Sequence, residues 1–192
     1  MKKQQLTRKN LLERIKLLEE ENKKLKKLIL IDELTTLYNR KGFWELGPSF
    51  FNNKPNNIND KRKEKIKKAA LLFIDIDDFK KYNDHYGHDK GDKILKEFAL
   101  YLKNKFRRVD LVVRWGGEEF LIILNNISFR QALKKAKKLL LDIQTHKFAK
   151  VNLTVSIGII DISKEFNIKE AIKKADKLMY QAKKKGKNTI CY

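Results

Sequence analysis

Cysteine is nearly missing from this sequence. Cys191, beside the C-terminus, is the only one, so no disulfide can form within the chain and a reducing compartment is its natural home. Long apolar runs are missing too: AALLFI and FLIIL stop far short of the roughly 18 residues that suggest a membrane span. The polar, charged first ten residues lack the apolar segment of a signal peptide. A cytoplasmic chain with no membrane segment is expected. Acidic residues are scarce beside basic ones, 24 Asp and Glu against 45 Lys and Arg, and the formal net charge of +21 should attract polyanions. Lysine is also the ordinary solvated residue of such a surface. With no aromatic-rich basic strand and no reading helix, the charge alone does not make nucleic acid a partner. Both prolines fall in the Asn-rich stretch 47–68, which reads as a surface loop.

What is present falls into an appendage and one core, as 192 residues allow. Leu11, Ile15, Leu18, Asn22, Leu25 and Ile29 recur at spacings of 4, 3, 4, 3 and 4, an a/d heptad seam. β-Branched a residues with leucine at d favour two parallel strands, and a single Asn22 at a fixes register. Arg14 would face Glu19 of the other strand, and Glu21 would face Lys26, so both pairs attract. We therefore expect a dimerising helix over 1–31 and a globular domain over 32–192. Packing of the helix on its own domain is the alternative. In the domain, DELTTLYNRKGF (32–43) offers Asp32 as a helix N-cap. Strands are predicted over 69–76, on both sides of Gly116–Gly117 as a hairpin, and over 151–160. Helices are predicted over 91–106, 129–144 and 168–186, the last closed by Gly186. Interleaved strands and helices with one hairpin imply an α/β (α+β) fold, a central mixed sheet flanked by helices.

The chemistry sits where apolar runs end. Alternation in LLFIDIDD places Asp75 and Asp77 opposite Ile74 and Ile76, and RWGGEEFLIIL brings Glu118 and Glu119 to a similar depth. Two carboxylates about 4 Å apart repel by roughly 4 kcal/mol at an effective dielectric near 20, so the cluster requires a proton or a cation. Hard oxygen donors without cysteine favour Mg²⁺ or Mn²⁺. Gly116 and Gly117 could adopt positive φ and let a ligand reach the backbone. Carboxylates, magnesium and lysines together suit phosphoryl or nucleotidyl transfer. Each motif alone also has a plain reading, DIDDF as a strand end before a capped helix and GGEE as a hairpin turn with solvated glutamates.

GGEEF (116–120), following DLVVRW, resembles the signature of the GGDEF-domain diguanylate cyclases in its GGEEF form. DELTTLYNRKGF, FIDIDDFKKYNDHYGHDKGDKIL (73–95), LTVSIGI (153–159) and ADKLMYQAKKKGKN (175–188) resemble the family's other segments in order. The resemblance implies a palm-like nucleotidyl cyclase fold with a mainly antiparallel sheet, and condensation of two GTP into cyclic di-GMP across a homodimer. It implies two Mg²⁺ or Mn²⁺ per half-site, held by Asp75, the Ile76 carbonyl, Glu118 and Glu119, with Glu118 taking the ribose 3′-OH proton. Lys80, Lys183 and Lys187 would meet phosphate, and Asn83, His88 and Asp92 would lie at guanine. A carboxylate such as Asp92 accepts from guanine N1–H and N2–H, donors that adenine lacks. Arg107 and Asp110, an RxxD pattern, match the family's inhibitory product site. Thr36 stands where the family often has glycine. The family usually carries a sensor ahead of the coil, so an upstream sensor or partner is implied, or the helix itself is the input. A catalytically silent cyclic di-GMP receptor is the alternative function.

Overall fold

Eight consecutive buried residues, Ala69 to Ile76, make the central strand, and their uninterrupted apolar character is what a strand covered on both faces requires. The computed structural model describes residues 8–51, 68–163 and 167–192. In chain order its elements are α1 (Arg8–Ile29), α2 (Arg40–Leu46), α3 (Pro48–Phe51), β1 (Ala69–Ile76), α4 (Phe79–Tyr86), α5 (His88–Lys105), β2 (Leu111–Gly116), β3 (Glu119–Asn125), α6 (Phe129–Thr145), β4 (Lys147–Phe148), β5 (Val151–Asn152), β6 (Val155–Asp161), α7 (Ile168–Lys184) and β7 (Ile190–Cys191). The main sheet has the order β2-β3-β1-β6-β7. All its pairings are antiparallel except β6 with β7, so the sheet is mixed but mainly antiparallel, as expected.

Alternation along β1 divides the core into two layers. Ala70, Leu72, Ile74 and Ile76 pack with Ile94, Phe98 and Leu102 of α5 and Ala136 and Ile143 of α6. Ala69, Leu71 and Phe73 pack with Phe43 of α2 and Ala171, Ala175 and Met179 of α7. Burial of each large apolar side chain here stabilises the fold by about 1.5–3 kcal/mol. Asp75 belongs to the second face, so the same alternation that fills the core delivers a carboxylate to the sheet end beside α7.

Several boundaries differ from expectation for local reasons. Asp32 caps a turn, accepting from the Thr35 amide at 2.9 Å and hydroxyl at 2.6 Å, and the following helix starts only at Arg40, capped by Asn39. Thr36 in that turn has φ 58°, which a β-branched residue adopts only under strain and glycine adopts freely. The helix expected from 91 begins at His88, and residues 79–86 form the separate helix α4. The strand expected over 151–160 divides at Leu153–Thr154 into β5, which pairs with β4, and β6. Gly186 follows α7 at φ 104°, the stop expected of it. Residues 52–67 of the expected surface loop lie outside the described residues.

Candidate active site

Asp75 pairs with Glu119 across β1 and β3 and with Ser156 across β1 and β6. Its side chain is 4% exposed, and Oδ2 meets the Lys183 ammonium of α7 at 2.7 Å. Oδ1 is buried without a hydrogen-bond partner. Burial pushes the carboxyl up to about 6, Lys183 opposes the shift, and the charges of Glu118 and Glu119 add to it. Glu119 is raised as well, by burial first and then by Asp176, against Lys183 and Arg40. The expected crowding of carboxylates at one strand edge is therefore present. Asp176 and Arg40 are the participants that sequence reasoning missed. Their sole signal was a position on the α7 and α2 faces that meet the sheet. Glu119 also borders a cavity of about 470 Å³ walled by Trp44, Phe73 and Trp115.

Glu118 is half-buried, and its carbonyl accepts from the Ile76 amide at 3.3 Å. The Ile76 side chain is in the core and offers nothing to a ligand, so any contribution must come from its backbone. Neither Gly116 nor Gly117 has positive φ, contrary to expectation. What the glycines supply is room: nothing lies within 4 Å of a Cβ placed at Gly117, and only Glu119 Oε2, at 3.1 Å, approaches one at Gly116.

Asp77 points to the Asp75 side of the sheet, but its oxygens are taken by the hydroxyls of Ser156 at 2.7 Å and Thr154 at 2.8 Å and by the Asn188 amide at 3.0 Å. It ties β1 to β6 and to the segment after α7. Asp78, at φ 55°, pairs with Lys187 at 2.7 Å and Lys81 at 2.9 Å, and these bonds hold its carboxyl down to about 2. Lys187 and Lys183 thus both stand at the β1 end, each on an aspartate, while Lys80 is exposed in the first turn of α4.

The expected guanine residues bracket the α4–α5 corner. Asn83 is near the end of α4, His88 and Asp92 are exposed in the first turns of α5, and Gly87 between them turns at φ 87°. Asn83 Oδ1 is buried without a partner, and a side chain at Gly91 would collide with it. Gly91 is a further residue missed from sequence, since its role is to leave space.

Arg107 and Asp110 adjoin at the opposite end of β2. The Asp110 side chain is wholly buried. It accepts from the Arg107 amide at 3.0 Å and the Asn125 amide at 3.1 Å, pairs with the Arg107 guanidinium at 3.2 Å, and receives Lys135 at 3.4 Å. Arg107 is half exposed, so Asp110 holds and Arg107 presents. A cavity of about 280 Å³ beside them reaches Ile31, Thr36 and Tyr38. In α1, the seam residues Leu11, Ile15, Leu18 and Ile29 are 45–54% exposed. The side chains of Asn22 and Leu25 lie outside the described residues.

Residues 29–189 match the family described as diguanylate cyclase, GGDEF domain. The chain belongs to that family. It is 40% identical over 129 residues to the response regulator PleD of Caulobacter vibrioides, covering 64% of this chain and 28% of that protein. It is 36% identical over 132 residues to diguanylate cyclase A of Treponema denticola, covering 66% of this chain and 36% of that one. The chain thus spans about a third of the length of such relatives. Among solved structures, the coiled coil and GGDEF domain of DgcB from Caulobacter crescentus in complex with c-di-GMP shares the fold, with a TM-score of 0.78, 20% identity and 95% of each chain covered. Diguanylate cyclase SiaD from Pseudomonas aeruginosa, in complex with its activator SiaC, aligns with a TM-score of 0.73 at 27% identity, covering 97% of this chain and 72% of that one.

GGDEF diguanylate cyclases require a divalent metal, and the residues present here fit one. A buried carboxylate oxygen without a hydrogen-bond partner at Asp75, with the charges of Glu118 and Glu119 raising its carboxyl, leaves a position that a cation suits. Among the described residues no three His, Cys, Asp or Glu side chains converge as a ready cage, and Lys183 supplies the neutralising charge on Asp75. No helix among the described residues is long and apolar enough to cross a membrane.

Proposed function

We propose that this GGDEF domain condenses two GTP into cyclic di-GMP and two pyrophosphates as a homodimer, each domain (32–192) holding one GTP. The observation that carries the reading is the Asp75–Glu119 cross-strand pair with Lys183 on Asp75, together with the unpartnered Asn83 oxygen of α4, the helix that follows β1. Asn83 and Asp92 bind the base edge, which selects guanine, and His88 lies beside them. Lys80, Lys183 and Lys187 meet the triphosphate, the last two by exchanging an aspartate for phosphate oxygens. Gly116 and Gly117 leave the turn open to the ribose. Glu118 takes the 3′-OH proton, the 3′-oxygen attacks the α-phosphorus of the GTP on the partner domain, and pyrophosphate leaves; the second bond forms reciprocally. Mg²⁺ or Mn²⁺, two per half-site on Asp75, the Ile76 carbonyl, Glu118 and Glu119, would neutralise charge on the transferring phosphoryl group.

The exposed seam of α1 supports a parallel coiled coil over 1–31 that raises the effective concentration of the two half-sites. Arg107, held out by Asp110, supports product inhibition by cyclic di-GMP. The test is chromatography of the products formed from GTP and Mg²⁺ by the parent and by Glu118→Ala. Cyclic di-GMP from the parent and a loss of at least about 100-fold in the variant are expected. No product from the parent, after bound nucleotide is stripped, would favour the receptor reading.

A further inference from the structure

The glycine turn cannot be positioned by packing, because Gly117 has no side chain and nothing lies within 4 Å of where one would be. Its place is set by hydrogen bonds. Arg114 Nε and Nη2 both donate to the Gly117 carbonyl, at 3.0 and 2.9 Å. The remaining arm of the same guanidinium donates to both oxygens of Asp32, at 3.0 and 3.2 Å. Asp32 lies three residues beyond the last residue of α1 and is fastened there by Thr35. Asn39 completes the fastening: its side chain donates to the carbonyls of Ile29 at 2.8 Å and Ile31 at 3.1 Å, and its amide to Leu30 at 2.9 Å. The Arg114 amide donates to Tyr38 at 2.8 Å. Between Arg114 and Gly116 the β2–β3 register shifts, so β2 holds the turn loosely, and the ladder to β1 begins only at Glu118, whose carbonyl takes the Ile76 amide, and Glu119, which pairs with Asp75.

We propose that Arg114 is a positioning residue that couples the end of α1 to the GGEE turn, so that the placement of Glu118 and Glu119 depends on the conformation of the Ile29–Asp32 junction. The guanidinium suits the task because its planar fork holds two acceptors at once, which a lysine ammonium on a flexible stem does not reproduce. A shift of the helix end moves Asp32, Asp32 moves Arg114, and Arg114 moves the carbonyl immediately before Glu118. The Asn83–Asp92 corner lies outside this chain of contacts. The kinetic part of the inference rests on the cyclase reading; the structural part does not.

The experiment is amide hydrogen exchange on the full chain, comparing the parent with Asp32→Asn and Arg114→Lys, with GTP turnover measured on the same samples. Exchange at Glu119 and at Ile76, whose amide donates to the Glu118 carbonyl, should accelerate by about tenfold in both variants, as expected for losing charged hydrogen bonds to a locally opening turn, while α5 and the β1 amides before Ile76 keep their parent rates. The double variant should add little to either single one. The kcat should fall by about tenfold to a hundredfold with KM for GTP within about threefold, the split expected when reacting groups are misplaced and base recognition is intact. Unchanged exchange at the turn in Asp32→Asn would overturn the coupling whatever the turnover. Acceleration spread evenly over β1 and α5 would also overturn it, by showing general destabilisation. A parent that makes no product would break the cyclase reading while the exchange result still decides this one.

Discussion

Two aspartates in this molecule are almost equally buried and are treated in opposite ways. The side chains of Asp75 and Asp110 are 4% and 0% exposed. Asp110 is met by two backbone amides, a guanidinium and an ammonium; burial would raise its carboxyl, and these partners hold it below the ordinary value. Asp75 has one lysine and one oxygen with no partner, and its carboxyl rises to about 6. The first carboxylate is satisfied by the chain and fastens a corner. The second has Lys183 as its one partner, and the stability cost of its raised carboxyl suits the proposed metal site.

The contrast can be broken from either side. Asp110→Ala should have the largest effect, lowering unfolding free energy by about 3 kcal/mol, because it leaves buried amides and a lysine without their acceptor. Denaturant unfolding checks this, and a loss under about 1 kcal/mol would mean the corner does not depend on the carboxylate. Lys183→Met should cost less, about 1 kcal/mol at pH 8, since the lysine is about a third exposed and solvent screens part of the pair. That loss has a defined pH window. Asp75 titrates near 6 when folded against 3.8 unperturbed, so its favourable contribution is complete below about pH 4 and disappears as pH rises through 6. Lys183 matters where Asp75 is ionised, and the difference between parent and Lys183→Met should shrink toward zero as pH falls to 4. A loss independent of pH would assign Lys183 a packing role only.

The sheet and the carboxylate edge were legible in the sequence because burial and alternation are written in residue type. The run Ala69–Ile76 read as a covered strand, and period two put Asp75 near its end on the face opposite Ile74 and Ile76. The family resemblance rested on motifs in order, and the match over 29–189 spans all of them. Less legible was anything that depends on contacts distant in sequence. Asp77 reads like Asp75, yet hydroxyls 77 and 79 residues away make it a strand tie. The RxxD pattern could not show that Asp110 faces inward, since that follows from Asn125 and Lys135. Arg114 looked like a strand residue, and its bond to Asp32 spans 82 positions. Gly91 shows only as an empty volume beside Asn83.

The most direct test is product chromatography from GTP and Mg²⁺ on Asp75→Asn beside the parent, with denaturant unfolding of both at pH 7.5. The variant should be more stable than the parent by about 1–3 kcal/mol, since the amide needs no counter-charge, and should form no cyclic di-GMP. A variant that is less stable and still forms product at the parent's rate would contradict the account, and would make Asp75 a structural carboxylate of the same kind as Asp110.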